Sequence, residues 1–186
     1  DDMGNRRLGN LYFSLGKYKE AAERYNVLAV NKNKSADVYA YLADSLMAQG
    51  LYENAKAVLE SGLSLVADEL KYYIHRRLFA LYRSQGKYDL ALAEVNNVQS
   101  LLPNYPLLEN ADINFLRGDI HKTEEGYQKL PAQGSYRWDK LGALSLSRGR
   151  FEESKNMAKQ GIEAAQRTGD WETRIEIAFK IGLSLS

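Results

Sequence analysis

Cysteine is absent from this chain, which removes disulfides, thiolate metal sites and cysteine nucleophiles together. Proline is scarce: Pro103, Pro106 and Pro131 are the only three in 186 residues. With Ala, Leu, Glu and Lys abundant, that scarcity favours helix. Long apolar runs are missing too. None approaches the ~20 residues of a membrane span, so no membrane insertion is expected. Charge of one dominant sign is also lacking. Lys and Arg number 25 against 24 for Asp and Glu, a net charge of +1. Such a balance leaves no basic field for nucleic acid, and no nucleic-acid partner is expected. No like-charged block marks an arm or a tail. Asp1 to Arg7 is polar and charged, unlike a secretory signal. A cytoplasmic location is therefore the expectation.

What the chain does hold is enough apolar material for a continuous core, 45% hydrophobic against 26% charged, and thirteen tyrosines. Several of those tyrosines fall into a repeat. Leu8-Gly9, Tyr12, Gly16, Tyr18, Ala21 and Tyr25 find counterparts in Leu42-Ala43, Leu46, Gly50, Tyr52, Ala55 and Leu59, each 34 residues further on. The pattern returns at Leu78-Phe79, Tyr82, Gly86, Tyr88, Ala91 and Val95, and again at Leu141-Gly142, Gly149, Phe151, Ser154 and Ala158. Within a unit the apolar positions lie three or four apart, which is one face of a helix. The mid-unit glycine (Gly16, Gly50, Gly86, Gly118, Gly149) stops that helix where the chain must turn. The aromatic or apolar residue two places on (Tyr18, Tyr52, Tyr88, Ile120, Phe151) opens a second apolar face. Ala21, Ala55 and Ala91 let the two helices approach closely. Each unit is thus a helix, a tight turn and a second helix. One such hairpin cannot bury its own apolar face, so neighbours must stack.

These residues resemble the tetratricopeptide repeat family, whose pattern is Trp-x-x-Leu-Gly-x-x-Tyr, then Ala-x-x-x-Phe, then Pro over about 34 residues. Asn10–Tyr12 and Trp138–Gly142 match especially well. The resemblance implies an all-α fold, a right-handed α-solenoid of antiparallel helical hairpins forming one domain over 1–186. Repeats are expected at 2–35, 36–69, 72–105, 104–134 and 135–168, with a partial sixth at 175–186. Repeat four departs from the pattern. It carries Asn110, Asn114 and Thr123 where the family prefers Leu, Tyr and Ala, and Pro131 should cut its second helix short. The last segment has apolar residues on more than one side, from Ile175 and Ile177 to Leu183 and Leu185. Two readings follow: a fragment of a larger protein, or a terminal helix covered by a second copy.

The sequence offers little chemistry. His121 stands near Glu124 and Glu125 at helical spacing, which reads as solvated helix surface. His75 takes the place where the family often has Trp, and a packing role between helices is expected. Gly16-Lys17 and Gly86-Lys87 lack the preceding glycine and the following hydroxyl residue of a phosphate loop. Asn33-Lys34-Ser35 fits a glycosylation sequon of the kind that chance supplies. No nucleophile–base pair or ligand cluster stands out, so no enzyme, no metal and no cofactor are expected.

Binding is the expectation instead. In the family a peptide lies along the concave side lined by first helices. Carried over position by position, that groove takes Arg6, Asn10, Phe13, Asp37, Asp44, Tyr73, Arg76, Arg83, Tyr105, Asp112, Phe115, Tyr136 and Asp139. Aromatics and guanidinium groups dominate, the side chains most often found at interface hot spots. The bland alternative for several of them is surface salt bridging. The carboxylate clamp of chaperone-cofactor members finds Arg6, Asn10 and Arg77 in three of its places. Tyr41 and Tyr73 hold the other two and cannot supply the lysine charge, so a looser acidic or aromatic peptide preference is expected. The reading is a scaffold for a protein or peptide partner. Its rival is an assembly module that self-associates through terminal helices.

Overall fold

The computed structural model describes residues 1–31, 34–103 and 108–169. Ten α-helices run through these residues, beginning with α1 (Asp2–Ser14), α2 (Tyr18–Val30), α3 (Ala36–Ala48) and α4 (Tyr52–Leu65). A 3₁₀ turn at Asp68–Leu70 leads into α5 (Lys71–Ser84), followed by α6 (Tyr88–Leu101). Then come α7 (Leu108–Leu116), α8 (Ile120–Gln128), α9 (Ser135–Ser147) and α10 (Phe151–Thr168). The chain divides into two compact units, Asp1–Tyr105 and Pro106–Ser186. The segment expected to begin a sixth repeat, the sequon residue Asn33 and the groove candidate Tyr105 lie outside the described residues.

The turns explain the hairpins. Gly16 and Gly50 adopt φ of 71° and 76°, the left-handed region that costs a Cβ-bearing residue about 1–2 kcal/mol. The next amide reaches back to close the helix. Lys17 N–H donates to Tyr12 O and Leu51 N–H to Leu46 O, both at 2.9 Å. These are Schellman closures, which satisfy carbonyls that a helix end leaves open. The same closure recurs after Gly86, Gly118 and Gly149. Every second helix then starts two residues past its glycine, at Tyr18, Tyr52, Tyr88, Ile120 and Phe151.

Stacking follows from burial. Ala21, Ala55 and Ala91 are fully buried in their hairpins. In the first unit, Ala21, Ala22, Tyr25 and Leu28 of α2 pack on Val38 and Leu42 of α3. In the second, Ala111 of α7, Tyr127 of α8 and Leu130 enclose Leu141 and Leu144 of α9, with Trp138 and Met157 at the margin. The indole of Trp138 donates to Ala132 O at 3.0 Å, so its polar edge is satisfied.

The fourth hairpin is the short one. Its second helix, α8, has nine residues against thirteen for α2. Asp119 caps α8 by accepting from Lys122 N–H. Helix α8 ends at Gln128, ahead of Pro131, which cannot continue a helix. Thr123 takes the small-residue place and is fully buried. Its hydroxyl donates to Asp119 O at 2.7 Å, so the threonine fits without an unsatisfied polar group.

Two glycines inside helices separate close packing from intrinsic helix preference. Gly→Ala in a helix interior gains about 1 kcal/mol from propensity. At Gly142 a new Cβ would meet Met157 Cβ at 3.5 Å, ordinary contact, so Gly142→Ala should stabilise by up to about 1 kcal/mol. At Gly126 it would meet Ala111 Cβ at 2.6 Å, with backbone behind it. Overpacking of that kind costs about 1–3 kcal/mol and outweighs the gain, so Gly126→Ala should destabilise. Urea titration of the two variants checks the opposite signs.

Candidate protein-binding face

The first helices carry the candidate residues, α1, α3 and α5 in one unit and α7 and α9 in the other. Each has one repeat anchor, Leu8, Leu42, Leu78, Asn110 or Leu141, of which Leu42, Leu78 and Leu141 are buried. Residues two before the anchor, and those two or five after it, lie on the opposite side of the helix, because each residue turns about 100°. Arg6, Asn10, Phe13, Asp44, Arg76, Arg83, Asp112, Phe115 and Asp139 all fall there. Tyr73 and Tyr136, five before their anchors, join the same side.

Three ion pairs tie first helices of successive hairpins together. Arg6 of α1 pairs with Asp37 of α3. Asp44 of α3 pairs with Arg77 of α5 at 3.0 Å. Asp112 of α7 pairs with Lys140 of α9 at 3.2 Å. The last two are one device used twice. An acid two places after the anchor of one hairpin meets a cation one place before the anchor of the next.

Tyrosines of the second helices brace the same positions from behind. Tyr25 OH donates to Asn10 Oδ1 at 2.6 Å, and Tyr127 OH donates to Asp112 Oδ1 at 2.6 Å. Burial pushes the Tyr25 hydroxyl up to about 12, helped by the neighbouring Tyr41 and the negative charge of Asp37. Burial raises Tyr127 as well, and its bond to Asp112 adds to the shift. Asp44 is raised by burial, an effect that the Arg77 charge opposes. Because Asp44 is only 19% exposed, loss of Arg77 would leave a half-desolvated carboxylate without its counter-charge.

The aromatic members are more open. Tyr73 is 45% exposed, Phe115 41% and Tyr136 47%. Tyr72 and Tyr73 pack with ring centres 4.0 Å apart. Phe13 meets Tyr18 and Tyr41 edge-on at 5.4 and 6.0 Å, and Tyr41 stacks on Tyr25 at 5.5 Å. Arg83 lies over Phe79 at 5.4 Å, and Lys140 over Tyr136 at 5.4 Å. Arg76 and Asp139 also engage neighbouring groups. Within each unit, the first helices therefore join ion pairs between hairpins to partly open rings.

Both histidines sit in ion-pair geometry. His75 Nδ1 lies 2.7 Å from Glu94 Oε2, joining α5 to α6, and both side chains are largely buried. His121 stands in solvent, 3.4 Å from Glu125. Among the described residues no helix is long and apolar enough to cross a membrane.

No family model matches the chain. Solved structures do. A thermophilic TPR protein from Thermus thermophilus superposes with a TM-score of 0.62 at 19% identity, covering 96% of this chain and 97% of its own. The chain has the tetratricopeptide-repeat fold. A chain of the APC/C hetero-tetramer Cut9-Hcn1 superposes on that fold at a TM-score of 0.67 and 15% identity, over 99% of this chain and 36% of the other. Among curated proteins, human protein O-mannosyl-transferase TMTC1 is 23% identical over 166 residues, 84% of this chain. The chain spans 18% of the length of that curated relative.

The described candidates lie opposite the anchor positions of their helices. Reading them one by one hid their partners. Arg77 entered as a clamp residue and Tyr25 as a repeat position, while Lys140 and Tyr127 did not enter. Their common offsets from Leu78, Leu141 and the turn glycines were the signal that could have found them.

Alkaline titration tests the brace behind Asn10. A phenol with a raised value holds its proton in the folded chain after the unfolded chain has released it. Stability present below pH 10 is therefore lost as pH rises from about 10 towards about 12. Urea unfolding at pH 9 and pH 11 should show a smaller loss for Tyr25→Phe than for the unaltered chain. An equal loss would mean that Tyr25 ionises freely when folded.

Proposed function

We propose that the chain is a protein-interaction module, without catalytic activity of its own, that holds an extended or helical segment of a partner on the first-helix face of α1, α3 and α5. The observation that carries this reading is the open ring surface of Tyr73 on α5, a helix that also presents Arg83 near its other end, set in a framework whose acids are already paired. A ligand meeting that face finds aromatic and guanidinium groups that cost little to order, because the stacked hairpins hold the helices beneath them. The fold supports the reading, as does a neighbour of the same fold that forms part of a hetero-tetramer. The transferase activity in the name of the human relative is not carried over, since the overlap is confined to a minor part of that protein. Arg77 lends its charge to Asp44, which favours aromatic and acidic side chains along the ligand over clamping of a terminal carboxylate. Peptides selected from a displayed library on the unaltered chain should bind at least tenfold more weakly to Tyr73→Ala and Arg83→Ala in fluorescence polarisation. Unchanged affinity in both variants would exclude this face.

A second reading, self-association, rests on α1. Leu8 is 40% exposed, whereas its counterparts Leu42, Leu78 and Leu141 are 2%, 3% and 6% exposed. Leu11 is 52% exposed, whereas Leu81 and Leu144 are 1% and 2%. This side of α1 is the one that other first helices press against the preceding hairpin, and apolar area of that extent favours a helix docked upon it. Sedimentation equilibrium should then show a mass that rises with concentration and returns to the monomer value in Leu11→Glu. A monomer at all concentrations would remove the assembly reading.

A further inference from the structure

Helices α2 and α4 leave a cleft of about 400 Å³ between them, floored by Leu42 and Leu46 of α3. Its size falls within the ~300–1,000 Å³ common for small-ligand sites. Ala22 of α2 and Val58 of α4 complete an apolar interior, and Lys19 and Asn26 stand among its lining residues. The floor residues lie about 140–180° around α3 from Asp37 and Asp44, so the cleft opens on the other side of that helix from the face described above.

The repeat itself shows what belongs in this place. One hairpin further along, the position of Leu46 is taken by Tyr82, which is buried. Its phenol lies in the field of Lys56, Glu60 and Glu53 on α4 and of Glu94 on α6. These four positions correspond in the repeat to Ala22, Asn26, Lys19 and Val58, all of which line the cleft. The cleft is therefore the site that Tyr82 fills from within, emptied by Leu at 46 and Ala at 22. It also runs on from the packed α2–α3 interface, whose core includes Ala22 and Leu42. Its polar complement differs from that of the filled site. Lys19 and Asn26 replace two carboxylates, while Glu23 brings one where the next hairpin has Ala57, so the rim gains hydrogen-bond donors that can reach a phenol oxygen and one acceptor for its proton.

We propose that the α2–α4 cleft is a second binding site, separate from the first-helix face, which takes a tyrosine side chain of a partner polypeptide. The ring occupies the apolar interior in the place that Tyr82 holds in the next hairpin. Its hydroxyl remains at the rim, where Lys19 and Asn26 donate to it.

The test uses p-cresol as the probe and toluene as its apolar match, followed by amide chemical shifts of the full chain. The site predicts saturable shifts at Ala22, Leu46 and Val58 with p-cresol, and binding at least fivefold weaker for toluene. The double variant Ala22→Lys/Leu46→Tyr rebuilds the internal filler and should lose at least tenfold in p-cresol affinity while keeping its helical circular dichroism. Asn26→Leu alters only an exposed rim residue and should abolish the preference for p-cresol over toluene, which keeps the test decisive if the double variant fails to fold. No shift at these residues overturns the site. Undiminished binding to a folded double variant overturns its equivalence with the Tyr82 pocket. Equal affinity for toluene and p-cresol, or a preference that survives Asn26→Leu, overturns the assignment to tyrosine.

Discussion

A helical hairpin of thirteen-residue helices has more apolar surface than its own two members can cover, and most of this structure answers to that constraint. The solution within each unit is to press the first helix of one hairpin into the second helix of the hairpin before it. Leu42 and Leu78 in the first unit and Leu141 in the second are nearly inaccessible for this reason. Fully burying a leucine contributes about 1.5–3 kcal/mol, so each junction draws more from these contacts than from an exposed ion pair, which contributes about 0–1 kcal/mol. The packing thus decides where hairpins sit. Charges then adjust to positions already fixed.

That order makes sense of the polar face. Arg6–Asp37, Asp44–Arg77 and Asp112–Lys140 each link two hairpins whose stacking is secured by the leucines on the other side of the same helices. Their energetic role is modest. Their geometric role is to fix where the charges lie: Lys140, paired with Asp112, rests over the Tyr136 ring. Tyr25 and Tyr127 contribute likewise by anchoring Asn10 and Asp112 from the second helices. In each unit the paired carboxylates leave rings partly exposed, Tyr73 in the first and Phe115 and Tyr136 in the second. A ligand that stacks on such rings does not first have to break the ion pairs.

The hairpins were legible in the sequence because their causes are local. A glycine at φ near 71° and an amide reaching back to the carbonyl five residues earlier involve only one turn of chain, and both follow from Gly16 and its counterparts. The shortness of the fourth hairpin was legible for the same reason, since Pro131 acts on its own neighbourhood. The side of the helix carrying the candidate residues could be read from periodicity alone. Their partners could not. Asp44 and Arg77 meet only after two hairpins have stacked, and nothing in either local segment announces the other. The braces from Tyr25 and Tyr127 escaped because both residues occupy places that periodicity assigns to the core, where a tyrosine is expected to act through its ring. Here the hydroxyl reaches through to the opposite surface.

The cleft between α2 and α4 escaped for a different reason. Repeat matching rewards agreement, and Leu46 beside Tyr12 and Tyr82 passes as another apolar residue in an apolar place. The physical content lies in the disagreement. A leucine ends several ångströms short of where a phenol would reach, and an alanine at 22 in place of Lys56 withdraws the remaining cover. In a core closed on every side, such a loss would be repaired by collapse of the neighbours or would cost stability in proportion to the void. Helices α2 and α4 are held at their spacing by α3, which packs against both, so collapse is restricted and the space stays open to solvent. An open apolar space lined by donors is a binding site in physical terms before any ligand is named. In a repeated fold, the neighbouring repeat that still carries its filler is the most direct guide to the shape of that ligand.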